Sequence, residues 1–418
     1  MAQLTDDCFA FGGALLAVDE IERIIRERVT PVAEAETVSL GAAFGRVLAQ
    51  DVVAPISLPP FDNSAVDGFA VRHADLKGSG DTRLKVVERL TAGVSAAHPL
   101  ARGEAVRIFT GAPMPEGADT VFMQEDCRLD GDDVILPPGL KLGANRRLAG
   151  EDVKAGSVIL PGGRRLKAPQ IALVAAVGVT QLTVRRRLRV ALYSTGDEIA
   201  EPGSPLPKAA TYDANRFLLA ALLSQLGAQV TDKGILPDDR VRVADALREA
   251  ARDHDLVLTS GGVSTGEADY VRETMERVGT LVFWRIGIKP GRPVAMGVLD
   301  GAALIGLPGN PVAAFVTFVR VVRPLLLQLA GAAPEPLIAL PVRAAFAYRK
   351  KAGRREYVRV KLARSVDGAL EASKHPQDGA GVITSLTETD GLVELSEDVT
   401  TVEPGSTVGF LPYAVLSG

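Results

Sequence analysis

Cysteine is nearly absent. Cys8 and Cys127 are the only two in 418 residues. They build neither a disulfide framework nor a C-x-x-C pair, so a reducing, cytoplasmic setting is expected. Histidine is scarce and scattered over His73, His98, His254 and His375, which argues against a zinc site. No apolar run approaches the ~20 residues of a membrane span. The densest, around Val312–Ala330, is interrupted by Arg320, Arg323 and Gln328. The opening MAQLTDDCFAFGG has no apolar signal core. Excess charge is lacking too: 47 basic residues face 51 acidic ones, a formal net charge of −4. No nucleic-acid or membrane partner is expected from that balance. G-x-S-x-G, P-loop and dinucleotide-binding fingerprints have no credible setting here.

Hydrophobic residues, by contrast, make up 47% of the chain, enough for several cores. Val18, Ile21 and Ile25 mark an amphipathic helix over residues 14–29, stopped by Pro31. Leu40, Phe44 and Val47 predict a second short helix within 38–51. Alternating runs such as RLKVVERL and EAVRIFTG, punctuated by Gly and Pro, predict a β-rich module over 56–148. A helix over Ala168–Ala176 would return the chain to its first segment. The expected domains are a discontinuous N-terminal one (1–55 and 149–187), the module inserted into it (56–148), an α/β domain (188–332) and a C-terminal β-domain (333–418). In the α/β domain, RVALYST, QVTDKGIL, DLVLTSGG and AALIGLPG alternate with helical stretches. Such alternation implies right-handed crossovers and a mostly parallel sheet. Short strands after Ala333 predict a small barrel or sandwich. The fold class is therefore multidomain α/β.

Ligands of open α/β sheets sit beyond the carboxyl ends of the strands. Three strand ends here carry unusual loops: STGDE (194–198), SGGVSTGEADY (260–270) and GLPGNPV (306–312). One such loop is usually a tight turn. Three on one sheet edge point to backbone N–H groups, around Gly261, Gly262, Gly309 and Asn310, that receive phosphate oxygens. Asp197, Glu198, Asp238, Asp239, Glu267 and Asp269 lie at or just past the same edge. Any one of them can be a helix cap. Together they suit Mg²⁺, which takes one or two carboxylates along with ligand phosphates and water. Arg285, Lys289 and Arg292 supply nearby positive charge.

The segments FDNSAVDGFAV, TGAPMPEGAD, GED (150–152), STGDE, SGGVSTGEADY, IKPGRP and GLPGNPV, in that order, resemble the molybdopterin molybdenumtransferase family, the MoeA proteins and the gephyrin E domain. The resemblance implies a Mg²⁺-assisted insertion of molybdate into adenylylated molybdopterin, with release of AMP. It implies an N-terminal elongated region with an inserted module, a molybdopterin-binding α/β domain and a C-terminal barrel. By position, Asp67, Thr110, Arg147 and Asp152 would form the N-terminal side of a cleft, with Asp67 and Asp152 catalytic and Thr110 and Arg147 contacting the substrate. Glu198, Asp238 and Asp269 would be the catalytic, metal-linked acids, with Lys289 also catalytic. Gly261, Gly262, Ser264, Arg285, Pro308, Gly309, Asn310 and Pro311 would contact the substrate. Arg354 and Ser385 would bind the oxoanion. Arg285 stands where some relatives have Lys, and a guanidinium fork differs from a point charge. A homodimer with a composite site is implied, with transient contact to other molybdenum cofactor biosynthesis proteins. The attacking group, water or a molybdate oxygen, stays open. The alternatives are an adenylyltransferase on the same α/β scaffold and a non-catalytic gephyrin-like scaffold.

Overall fold

The computed structural model describes residues 15–263 and 270–416. Ser264, Glu267 and Asp269, named above, lie outside them. The first helix, Val18–Arg28, buries Val18, Ile21, Ile24 and Ile25 on one stripe. Acids in its first turn and arginines in its last complement the helix dipole. Each fully buried Ile on such a stripe contributes about 1.5–3 kcal/mol.

The expected helix within 38–51 is not formed. Ala35–Ser39 is a strand, paired antiparallel with Gln181–Arg185, and only Leu40–Ala42 makes a single 3₁₀ turn. Val38 faces Leu182 in the ladder, so a partner far along the chain overrides a helical spacing of three apolar residues. Phe44 is left 64% exposed. Val52–Val53 likewise pairs with Val158–Leu160. The helix Ala168–Ala176 forms as expected, and its Val174 packs with Leu48, Leu160 and Leu182. Between these returning strands lies a six-stranded sheet, in the order Thr120–Met123, Gly68–Val71, Glu104–Ile108, Thr82–Leu90, Asp133–Leu136, Arg128–Asp130.

The α/β sheet runs Gln229–Leu236, Arg189–Thr195, Leu256–Ser260, Ala302–Leu307, Ala295–Leu299, Thr280–Trp284. The first four strands are parallel and the last two antiparallel. Leu256–Ser260 and Ala302–Leu307 are buried along their whole length. That is the expected state of strands covered on both faces. The antiparallel end follows from Asp300 (φ 49°) and Gly301 (φ 86°). Positive φ at both central residues is what a two-residue hairpin turn demands.

A long helical stretch, Pro311–Leu329, fills the core beneath the sheet. It is apolar and long enough to cross a membrane, but 89% of its most apolar window is buried inside the fold. One π turn, Phe318–Val322, interrupts it just before Pro324. Proline has no N–H and crowds the carbonyl four residues back, and the wider turn accommodates both.

The C-terminal strands Arg355–Arg364, Leu370–Lys374, Leu340–Ala344, Thr407–Pro412 and Gly391–Leu395 close into a five-stranded barrel, the last pairing again with the first. Ile288–Lys289, which precedes the end of the α/β sheet in sequence, adds to this barrel in parallel with Arg355 and Glu356.

Candidate active site

The carboxyl ends of the parallel strands open into a cavity of about 850 Å³. All three unusual loops contribute to it: Ser194 to Gly196, Ser260 to Val263, and Pro308 to Pro311. Glycine is required at two places. Gly196 has φ 136°, and a Cβ there would lie 2.4 Å from Glu198 Oε2. Gly261 has φ 96°, and its Cβ would lie 2.6 Å from the Thr195 carbonyl oxygen. The loops are stitched by Asn215, whose Nδ2 donates to Ser260 Oγ at 2.8 Å and to the Gly309 carbonyl at 2.7 Å. Ser194 Oγ and Thr195 Oγ1 are buried in the wall without a hydrogen-bond partner among the described residues. Buried polar groups are normally satisfied, which makes these two hydroxyls exceptions beside the cavity.

Glu198 and Asp238 line the same cavity. The Asp238 N–H donates to Asp197 Oδ1 at 3.1 Å. Burial, and then the like charges of Asp197 and Glu198, hold the Asp238 carboxyl above its ordinary value. Asp239 has a structural role instead: it caps the helix Arg240–Asp253 by accepting the Arg242 N–H at 2.8 Å. Among the described residues no three His, Cys, Asp or Glu converge as a finished metal site. Two carboxylates short of charge compensation still fit a hard cation that keeps several water and phosphate ligands.

A second cavity, about 450 Å³, adjoins the first, and Pro293, Pro308 and Asn310 line both. Its wall is cationic. Lys289 and Arg354 converge there on Glu356, a carboxylate 1% exposed. Glu356 accepts from Arg354 Nε at 2.6 Å, Tyr348 Oη at 2.8 Å and Lys289 Nζ at 3.3 Å. Burial works against its charge, but Tyr348, Arg354 and Lys289 outweigh it and keep the carboxyl below its ordinary value.

Ser385 departs from expectation. It is fully buried, donating to the Val382 carbonyl at 2.6 Å and accepting from Arg359 Nε at 3.1 Å. It reaches the second cavity only through Arg359, which lines it. Arg285, with φ 82°, lines neither cavity.

The N-terminal candidates form a separate group. Asp67 Oδ1 accepts from both the N–H and the hydroxyl of Thr110 at 2.8 Å, which keeps its carboxyl below the usual range. Arg147 pairs in a short ladder with Asn63, and the N–H of Asp152 donates to the Leu58 carbonyl at 3.1 Å. Arg147 and Asp152 are exposed. Within one chain, none of these four lines either cavity.

Glu356, Tyr348 and Asn215 were not singled out in the sequence. Glu356 lies in the run REYVRV, which reads as an ordinary strand. Its one signal is an acid at an inward position directly after two arginines.

The geometry agrees with what this chain is similar to. Residues 16–178 match the MoeA N-terminal region (domain I and II), 191–328 a probable molybdopterin binding domain, and 341–413 the MoeA C-terminal region (domain IV). A molybdopterin molybdenumtransferase of Haemophilus influenzae is 38% identical over 97% of this chain and 100% of its own length. One of Nostoc sp. is 36% identical over 90% and 88%. A solved MoeA structure from Pyrococcus horikoshii superposes with a TM-score of 0.81 at 28% identity, covering 96% of this chain and all of the other. With three regions matched in order and a curated relative aligned end to end, the chain belongs to the MoeA family.

Proposed function

We propose that this protein is a molybdopterin molybdenumtransferase, which inserts molybdate into adenylylated molybdopterin and releases AMP. One observation carries the reading: glycine turns, orphan hydroxyls and carboxylates at the strand ends share a continuous cleft with the Lys289–Arg354 wall. The turns and hydroxyls receive phosphate oxygens. Lys289 and Arg354 hold an oxyanion, with the guanidinium offering several donors in a fixed fork. Cleavage of a phosphoanhydride needs positioning and charge neutralisation more than a protein nucleophile. Mg²⁺, held by Glu198 and Asp238, would neutralise phosphate charge. Asp269 was assigned to the same task and lies outside the described residues.

In the same proposal the protein acts as a homodimer. Asp67, Thr110, Arg147 and Asp152 would then complete the cleft of a second copy. A fully active monomer by solution mass would contradict this. The decisive assay is AMP release from adenylylated molybdopterin, with molybdate and Mg²⁺ varied separately. Release that requires both supports the assignment. Pyrophosphate release from ATP and molybdopterin, without molybdate, would assign adenylylation instead.

A further inference from the structure

A third cavity, about 380 Å³, lies where three parts of the chain meet, away from the cleft. Its wall combines Arg164, Arg165 and Lys167 of the N-terminal region, Arg323 of the core helix, and Ala333 to Pro336 of the segment leading to the barrel. Glu335 is the only acid among its described lining residues, against four cations. Two of these share it. Arg165 donates to Glu335 Oε1 at 3.0 Å and Oε2 at 2.7 Å, and Arg323 donates to the Glu335 carbonyl at 3.1 Å. The other two, Arg164 and Lys167, are exposed and have no ion-pair partner among the described residues. Arg323 is 7% exposed, and its buried Nε has no hydrogen-bond partner among the described residues. Burial first, and then the neighbouring Arg165 and Arg320, push its guanidinium below the ordinary value against the pull of Glu335. One carboxylate therefore leaves this wall under-compensated, which is costly for buried charge.

We infer that this junction cavity binds a phosphate dianion, separately from the substrate cleft. A dianion placed between Arg164, Lys167 and the buried pair supplies the missing negative charge through charge-assisted hydrogen bonds. The volume exceeds that of a bare oxyanion, so a phosphomonoester fits as well as free phosphate. Such a ligand would join the N-terminal region to the core helix and the barrel linker. The Ala333 N–H already donates to the Gly163 carbonyl at 2.8 Å across the same junction.

The test is calorimetric titration of the full chain with inorganic phosphate, and separately with AMP, at constant ionic strength. Arg164 and Lys167 are the residues to change, since both are exposed and lie outside the cleft. In Arg164→Glu/Lys167→Glu, phosphate affinity should fall by about tenfold or more, while molybdate-dependent AMP release keeps its rate. Arg164→Gln/Lys167→Gln should show a smaller loss in the same direction, and covers the case in which charge reversal unfolds the junction. If the site's share of binding is tighter for AMP, an organic monoester is the ligand; if tighter for phosphate, the free ion is. An isotherm unchanged in both variants, or no saturable phosphate binding by the wild type, would overturn the inference.

Discussion

Arg354 Nε lies 2.6 Å from Glu356 Oε1, reaching from the bend just before the first barrel strand to the second residue of that strand, and Glu356 is the more buried partner. The carboxylate thus aims the guanidinium, and Lys289 with it, into the cleft.

Glu356→Gln tests that arrangement, because it keeps the shape and removes the charge. Hydrogen bonds to a charged partner contribute about 1.5–3 kcal/mol, and a loss of that size in stability is expected. The KM for molybdate should rise by about tenfold, with affinity for adenylylated molybdopterin nearly unchanged. Arg354→Ala should shift molybdate dependence in the same sense. Equal loss of both ligands would show that Arg354 does not discriminate between them.

The two strand-end glycines should fail differently. In Gly196→Ala the new Cβ meets the flexible end of Glu198. The carboxylate moves away, so the Mg²⁺ requirement should increase, with a stability loss of about 1–2 kcal/mol from the left-handed backbone. In Gly261→Ala the Cβ meets the main chain at Thr195, which cannot swing aside. Thermal unfolding should register the larger loss for Gly261→Ala.

Asp238→Asn should make the protein more stable and less active at once. The wild-type carboxylate is destabilised by burial and by two like charges, so removing its charge relieves repulsion at neutral pH. Melting temperature should rise without Mg²⁺, and AMP release should fall by about tenfold or more as a charged ligand is lost. A variant with wild-type release across a Mg²⁺ titration would remove Asp238 from the metal proposal.

Asp255 gives a pH signature far from the cleft. Its carboxylate accepts from Arg186 at 2.7 and 2.8 Å and from the Arg189 N–H at 2.8 Å. Burial opposes its charge, but these partners win and lower the folded-state value. A lowered carboxyl contributes its full stability above the unfolded value, about 3.9 for Asp, and loses it as pH falls through the folded value. Asp255→Asn should cost about 1.5–3 kcal/mol at pH 7. The gap in melting temperature from wild type should narrow below about pH 4.

The parts legible in the sequence are those governed by local rules. The helix Ala168–Ala176, the buried strands and the strand-end loops all follow from short patterns. The run from Val38 was misread because its partner, Gln181–Arg185, lies more than a hundred residues away, and a ladder overrides local spacing. Ser385 is expected at the oxoanion only through the family resemblance, and its full burial is a property of packing that the sequence does not display. Glu356 escaped notice for the opposite reason. Its chemistry comes from Lys289 and Tyr348 on two other strands, joined by Arg354 from the bend before its own strand. No window of sequence holds them all.

Lys289 belongs by sequence to the α/β region, yet its backbone is in register with the first barrel strand. This fixes how the protein can be cut and recombined. A chimera that exchanged only the residues after 333 would keep its own Lys289 while replacing the strand that orients it. Grafting a relative's barrel together with Ile286 to Lys289 would preserve the pairing. The functional seam of this molecule therefore does not coincide with the boundary of its globular parts.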